Sequence, residues 1–203
     1  MTLRLAVFAS GGGSNLQALI DRFNRAGSDS DVRVSLVISD RADAPALARA
    51  RAAGIEAMHI QVSGRPADLS KWEMLTALDS ADIDLIALAG YLRLMPAAVI
   101  RRYPRRIVNI HPALLPRFGG KGMYGRNVHQ AVLDAGEKVS GATVHFVNEN
   151  YDEGDIITQK TVPVLPGDTA ESLAARVLEV EHVLLPDVLE QLARSILAEE
   201  PNA

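Results

Sequence analysis

The chain has 203 residues, 48% of them hydrophobic and 23% charged, which is the composition of a folded globular protein. Its formal net charge of −4 argues against general nucleic-acid binding, because neutralising phosphates requires a basic face. The absence of cysteine excludes disulfides, thiolate nucleophiles and cysteine-ligated zinc, and it agrees with a cytoplasmic location. No segment approaches the ~20 apolar residues that cross a bilayer, so we expect no membrane partner.

Short apolar runs alternate with helical spacings in the first half of the chain. The predicted strands cover residues 3–9, 32–38, 56–60, 84–89 and 106–110. The predicted helices between them cover residues 14–25, 45–53, 69–78 and 96–102, and Asp43 is expected to cap the second. This alternation predicts an α/β fold of three layers, with a mostly parallel twisted sheet and helices on both faces.

The second half has a different character. Residues 111–127 hold two prolines and four glycines and are predicted to form a long loop, followed by a short helix at 128–133. Two strands at 142–147 and 155–163 are predicted to form a C-terminal antiparallel hairpin. A last helix is expected to be capped by Asp168, to be interrupted near Pro186 and to reach about residue 198. Residues 199–203 are expected to form a frayed tail.

A glycine-rich turn, Ser-Gly-Gly-Gly-Ser-Asn at 10–15, lies between the first strand and the first helix. Glycines allow backbone N–H groups to crowd an anion, and a helix N-terminus attracts negative charge, so the turn fits a phosphate monoester. The spacing is neither the dinucleotide fingerprint nor the nucleotide triphosphate loop. A plain glycine-rich turn in which Ser14 caps the helix explains the same residues.

Asn109 and His111 lie two residues apart at the end of the fifth predicted strand, so their side chains point to the same side. An amide donor and an imidazole on one face suit an oxyanion and a proton transfer. Two polar groups satisfied at a strand end are the alternative. A carboxylate from the polar turn at 148–155 contributes only if the fold brings it against His111. No residue set indicates a metal site.

Five segments together resemble the folate-dependent formyltransferase family, and within it the enzymes that formylate glycinamide ribonucleotide. They are SGGGSNLQA at 10–18, LAGYLR at 88–93, NIHPALLP at 109–116, GATVHFV at 141–147 and YDEGDII at 151–157. The resemblance covers nearly the whole chain. It implies the formyltransferase fold, with a Rossmann-like first half.

The resemblance also implies an activity and residues for it. The formyl group of the co-substrate 10-formyltetrahydrofolate would pass directly to the amine of glycinamide ribonucleotide through a tetrahedral intermediate, a step of purine (IMP) biosynthesis that needs no metal. The implied catalytic set is Asn109, His111 and Asp152, with Asp152 pairing with His111 and raising its pKa. The implied ribonucleotide-binding residues are Gly12, Gly13, Ser14, Asn15, Leu178, Glu179, Val180 and Glu181. The implied folate-binding residues are Arg65, Leu92, Arg93, Leu94, Met95, Asn109, Asn148, Glu149, Asn150, Tyr151 and Asp152.

We therefore expect one domain over residues 1–203, with a phosphate-substrate half at 1–110 and a folate-binding and catalytic half at 111–203. Its partners would be small molecules, and it would be a monomer or homodimer. A hydrolase of the formyltetrahydrofolate deformylase type is one alternative. Such a deformylase carries an extra N-terminal domain and a methionyl-tRNA formyltransferase carries a C-terminal RNA-binding domain, and we expect neither domain here. A non-catalytic nucleotide-binding module remains an alternative, with Asp40 as the candidate for a ribose contact.

Overall fold

A computed structural model of the chain describes residues 2–199 and shows one seven-stranded sheet. The strands are β1 (Leu3–Phe8), β2 (Val32–Ser39), β3 (Glu56–His59), β4 (Leu85–Leu88), β5 (Ile107–His111), β6 (Val139–Phe146) and β7 (Ile156–Pro163). Their order across the sheet is β3-β2-β1-β4-β5-β6-β7. The first five strands are parallel, whereas β6 runs antiparallel to β5 and β7 antiparallel to β6.

Six helices cover the two faces of this sheet. They are α1 (Ser14–Phe23), α2 (Pro45–Ala52), α3 (Ala67–Ser80), α4 (Ala97–Arg102), α5 (Arg126–Asp134) and α6 (Ala170–Glu199). Buried residues of α1, α2, α5 and α6 pack on one face, and those of α3 and α4 on the other. The two cores divide by strand periodicity, since Leu5 and Val7 of β1 enter the first core while Ala6 and Phe8 enter the second.

The strand order changes direction between β1 and β4. The chain first adds β2 and β3 on one side of β1 and then returns to place β4 and β5 on the other side. Open α/β sheets form a crevice at such a point, outside the carboxyl ends of the strands. The loops that follow β1, β4 and β5 all lie there.

The predicted α/β fold, with a mostly parallel sheet, helices on both faces and the C-terminal hairpin, is confirmed. The predicted interruption at Pro186 is wrong, because α6 is continuous through that residue up to Glu199, the last described residue. The rest of the predicted tail, residues 200–203, lies outside the described residues. Between β5 and α5, residues 112–125 form turns without helix or strand, as expected for the long loop.

Candidate active site

A cleft of about 720 Å³ occupies the crevice at the carboxyl ends of the parallel strands. Its walls are residues 11–15 after β1, 89–93 after β4, 109–112 at the end of β5, the loop 120–126, and one side of α6. The predicted site residues that line it are Gly12, Gly13, Ser14, Asn15, Leu92, Arg93, Asn109, His111, Tyr151, Asp152, Leu178 and Glu181. The sheet topology thus brings residues from both ends of the chain to one place.

The glycine-rich turn forms one end of the cleft. Gly13 precedes α1 with a left-handed φ of 73°. The carbonyl groups of the turn face α2, where the Gly12 oxygen accepts from Arg49 Nε at 2.8 Å and the Gly11 oxygen accepts from the Ala46 N–H at 3.2 Å. The N–H groups of the first turn of α1 have no partner inside the helix, so this end of the cleft is suited to an anion.

Asn15 and Glu181 connect that turn to α6. The Asn15 amide donates from Nδ2 to Glu181 Oε2 at 2.6 Å, and both residues are buried. Burial raises the pKa of Glu181 to about 7, although the hydrogen bond from Asn15 acts in the opposite direction. Among the described residues Asn15 Oδ1 has no hydrogen-bond partner, so it remains an acceptor in the cleft wall.

The amide of Asn109 lies between a histidine and a carboxylate. His145 stands opposite Asn109 in the β5–β6 pairing, and its Nδ1 lies 2.8 Å from the Phe146 carbonyl oxygen. Because a carbonyl only accepts, Nδ1 carries the hydrogen and Nε2 of the neutral ring accepts from Asn109 Nδ2 at 3.0 Å. The same Nδ2 also donates to Asp152 Oδ1 at 3.3 Å.

The imidazole of His111 is buried at the same wall. Its Nε2 donates to the Phe118 carbonyl oxygen at 2.8 Å, and its Nδ1 lies 3.4 Å from Asp152 Oδ2. The predicted pairing of these two side chains is present. Asp152 acts to raise the pKa of His111, as predicted, but burial outweighs this charge and the net shift is to a pKa below 6.5.

Asp152 remains the ionised member of this group. Burial opposes its charge, but the neighbouring rings of His145 and His111 and the Gly120 N–H at 2.9 Å together lower its pKa. A neutral imidazole beside an ionised carboxylate can accept a proton and then be stabilised as imidazolium. The arrangement therefore suits proton transfer next to an amide donor.

Eight of the predicted ligand-binding residues do not line the cleft. Arg65 forms an ion pair with Glu73 at 2.8 Å instead, and Met95 is buried in the core on the side of α3 and α4. Val180 packs against the other core, and Glu179 is exposed. The other four are Leu94, Asn148, Glu149 and Asn150. The binding roles of all eight stay predictions.

The structure adds roles for residues that the sequence pattern did not predict. His145 contacts both Asn109 and Asp152, and its position follows from the β5–β6 register. His129 is buried in the cleft wall, and its Nδ1 has no hydrogen-bond partner among the described residues. Ser10 and Asp40 form a buried link between two walls, through hydrogen bonds to Leu92 and Arg93. The sequence pattern included Ser10 only as the first residue of the glycine-rich turn.

The described residues 2–199 offer neither a metal site nor a membrane-spanning helix. The histidine and acidic side chains described there form no group of three or more that could hold a metal ion. In the same part of the chain, no helix combines the length and apolarity needed to cross a membrane.

Known proteins resemble this chain along most of its length. A family model described as formyl transferase matches residues 3–189. The phosphoribosylglycinamide formyltransferase of Haemophilus influenzae is 37% identical over 204 residues, covering 98% of this chain and 91% of that protein. The crystal structure of glycinamide ribonucleotide transformylase 1 from Symbiobacterium toebii superposes with a TM-score of 0.87 at 42% identity, covering 96% of this chain and 89% of that one.

A plant relative is longer than this chain. The chloroplastic phosphoribosylglycinamide formyltransferase of Vigna unguiculata is 44% identical over 190 residues, which is 93% of this chain. The chain spans only 60% of the length of that relative. The match to the family model, at residues 3–189, includes every element that forms the cleft and most of α6.

Proposed function

Because the chain belongs to the formyl transferase family, we propose that it transfers the formyl group of 10-formyltetrahydrofolate to the amine of glycinamide ribonucleotide. This reaction is a step of purine (IMP) biosynthesis. The relatives' names support the proposal, since several are phosphoribosylglycinamide formyltransferases. The folate co-substrate is the formyl donor that the resemblance implies.

One observation carries the proposal. Asn109, His111 and Asp152 converge on one wall of a cleft whose other end is the N-terminus of α1. A phosphate held at that helix end leaves the remainder of a small phosphorylated amine to extend towards the three side chains. Asn15 Oδ1 and the carboxyl of Glu181 then offer acceptors to the hydroxyl or amine hydrogens of the ligand.

In the proposed reaction the substrate amine attacks the formyl carbon and the carbonyl oxygen becomes an oxyanion. Asn109 Nδ2 donates to this oxyanion, an effect that is worth ~3–4 kcal/mol per donor in other enzymes. The bond between the formyl carbon and the folate nitrogen then breaks, leaving N-formylglycinamide ribonucleotide and tetrahydrofolate.

His111 carries the proton in this scheme. The neutral imidazole accepts a proton from the attacking amine, and Asp152 stabilises the resulting imidazolium at 3.4 Å. The folate nitrogen takes up a proton as it leaves. Because Nε2 carries the hydrogen that is donated to the Phe118 carbonyl, it can accept this proton only after the 112–125 loop releases that contact and the ring hydrogen moves to Nδ1, beside Asp152.

A hydrolase remains the closest alternative function, because the same three side chains could direct water at the formyl carbon. The glycine turn and Glu181 favour a phosphorylated amine as acceptor, since a deformylase needs no second substrate site. The cytoplasmic location, the monomer or homodimer and the division into two functional halves stay predictions.

The direct test is a transfer assay with purified protein and 10-formyltetrahydrofolate. We expect loss of the formyl group from the folate only when glycinamide ribonucleotide is present, with formation of the formylated ribonucleotide. Glycinamide without ribose phosphate is the matched control and should react poorly, since it cannot use the glycine turn. Loss of the formyl group at the same rate without any ribonucleotide would instead establish the hydrolase.

A further inference from the structure

A buried carboxylate outside the proposed catalytic set joins two walls of the cleft. Asp40 directly follows β2, and its side chain is only 3% exposed. Its Oδ1 accepts from the Ser10 hydroxyl at 2.5 Å, and its Oδ2 accepts from Arg93 Nε at 2.8 Å. A buried carboxylate requires this kind of pairing, and each oxygen has its own donor.

The two donors belong to different walls of the cleft. Ser10 immediately precedes the glycine turn, and its backbone N–H donates to the Gly90 carbonyl at 3.0 Å. Its hydroxyl oxygen also accepts from the Leu92 N–H at 3.0 Å. Arg93 lines the cleft on the wall after β4, with 44% of its side chain exposed. Asp40 thus fixes the start of the glycine-rich turn and the side chain of Arg93 at the same time.

We propose that Asp40 is a positioning residue that holds the Arg93 guanidinium in the cleft for the carboxylate end of the folate co-substrate. The inference rests on the proposed function, since folate is the anionic ligand assigned to that wall. Only Nε of Arg93 donates to another side chain within residues 2–199, so the terminal guanidinium nitrogens remain for a ligand.

The chemistry of the pair requires an aspartate at position 40. A carboxylate accepts on both oxygens, whereas an asparagine of the same shape has one acceptor and one donor. In Asp40→Asn the amide oxygen can keep the bond from Arg93 Nε–H only if the amide nitrogen turns to Ser10, whose hydroxyl must then accept instead of donate. The variant also removes the charge that holds the guanidinium.

The first experiment measures steady-state kinetics of Asp40→Asn in the complete chain. We expect the KM for 10-formyltetrahydrofolate to rise about tenfold, the loss associated with one charge-assisted hydrogen bond. The kcat should stay within about twofold, because Asp40 contacts none of the three side chains proposed for the chemistry. Asp43→Asn is the matched control, since Asp43 is exposed and pairs only with Arg41 at 3.4 Å. It should leave both parameters unchanged.

A double-mutant cycle separates positioning from a structural role. Arg93→Met removes the guanidinium and should itself raise the KM for the folate. If Asp40 acts through Arg93, adding Asp40→Asn to Arg93→Met should raise that KM no further. If Asp40→Asn instead weakened the fold in general, its effect on the KM would multiply with that of Arg93→Met in the double variant. Arg93→Lys gives a test that does not depend on the folding of Asp40→Asn. Its KM for the folate should match that of Arg93→Met within about twofold, because lysine lacks the planar guanidinium that binds a carboxylate through two nitrogens.

The outcomes distinguish this inference from the proposed function. Any of three results would overturn the positioning role while formyl transfer stands. These are an unchanged KM for the folate in Asp40→Asn, a KM in the double variant that is the product of the two single effects, and a wild-type KM in Arg93→Lys. Absence of any formyl transfer by the wild-type protein would overturn the proposed function, and the inference would fall with it.

Discussion

Both hydrogens of the Asn109 amide nitrogen are already engaged. One is directed at His145 Nε2 at 3.0 Å and the other at Asp152 Oδ1 at 3.3 Å. In the proposed reaction a formyl oxygen must replace one of these acceptors, and the longer contact with Asp152 is the weaker one. Release of Asp152 would also free its Oδ1 for other partners. The oxyanion would therefore take the hydrogen bond from Asn109 that Asp152 accepts in the free protein.

Replacement of Asp152 by asparagine tests this carboxylate. An asparagine places a donor where the carboxylate accepts from Gly120 or Asn109, and it has no charge to stabilise an imidazolium at His111. We expect kcat for formyl transfer to fall at least about 100-fold. Glu153→Gln on the same turn is the control and should be close to wild type. Near-normal turnover of a folded Asp152→Asn, checked by circular dichroism, would remove Asp152 from the mechanism.

Because Glu181 is buried, we expect the free energy of unfolding to depend on pH. Burial raises its pKa from 4.5 to about 7, so the folded state binds this proton more tightly than the unfolded chain. The stability from this group is fully present below pH 4.5 and is lost as the pH rises through about 7. Relative to Glu181→Gln, the wild type should lose about 2 kcal/mol of unfolding free energy between pH 5 and pH 8.

Urea unfolding at pH 5, 6.5 and 8 measures that difference. Glu179→Gln is the control, because Glu179 is exposed two residues earlier on α6 and should show no such trend. A constant difference between wild type and Glu181→Gln over this range would show that the carboxyl is not held protonated by burial.

Sequence reasoning could place Asn109 and His111 together because strand periodicity requires it. It could not place His145 opposite Asn109, since the register between β5 and β6 depends on how the hairpin docks. It also missed the sign of the pKa change of His111. The pattern suggested a neighbouring charge, but burial, which dominates, depends on the whole fold.

Among the secondary-structure elements, the turn into α1 is the most constrained. Gly13 has a φ of 73°, and a Cβ there would lie 2.8 Å from Ala46 Cβ. Gly12 meets nothing within 4 Å and has no positive φ. The three glycines of one turn are therefore not equivalent, because only Gly13 is required by both conformation and the packing of α2.

This difference gives a matched pair of variants. Gly13→Ala should lower the free energy of unfolding by about 3 kcal/mol, since it combines left-handed strain with a contact against Ala46. Gly12→Ala should change it by less than about 1 kcal/mol. Denaturant unfolding of both variants measures the difference. Equal effects would mean that α2 moves away and that Gly13 is not the fixed point of the turn.

The helix starts show where local patterns fail. Asp43 was expected to cap α2, but the N-cap is Ala44 without a side-chain bond, and Asp43 pairs with Arg41. Asp168 was expected to cap α6. Instead Thr169 and Ser172 exchange hydrogen bonds there, while Asp168 binds Arg176. Both aspartates form an ion pair with a nearby arginine, and Asp168 also accepts from the Leu165 backbone N–H at 2.8 Å, so their oxygens are used away from the helix starts.

At the scale of the whole molecule, the alternation of strands and helices was sufficient to predict the fold, because parallel sheets need covered faces. The alternation did not determine the strand order, and that order locates the cleft. The predicted halves at residues 1–110 and 111–203 illustrate this. Predicted folate residues Leu92 and Arg93 lie in the first half, and Glu181 lies in the second, yet all three line one cleft.

A final prediction concerns which ligands stabilise the whole protein. A ligand at about 100 times its Kd adds ~2.7 kcal/mol, which corresponds to roughly 5–10 °C in Tm for a chain of this size. We expect this shift with glycinamide ribonucleotide and with a reduced folate. We expect none with NAD, because the Asp40 carboxylate already binds Ser10 and Arg93 and is buried, so it cannot accept from ribose hydroxyls. Differential scanning fluorimetry measures all three. A shift with NAD alone would favour the nucleotide-binding module over the formyltransferase.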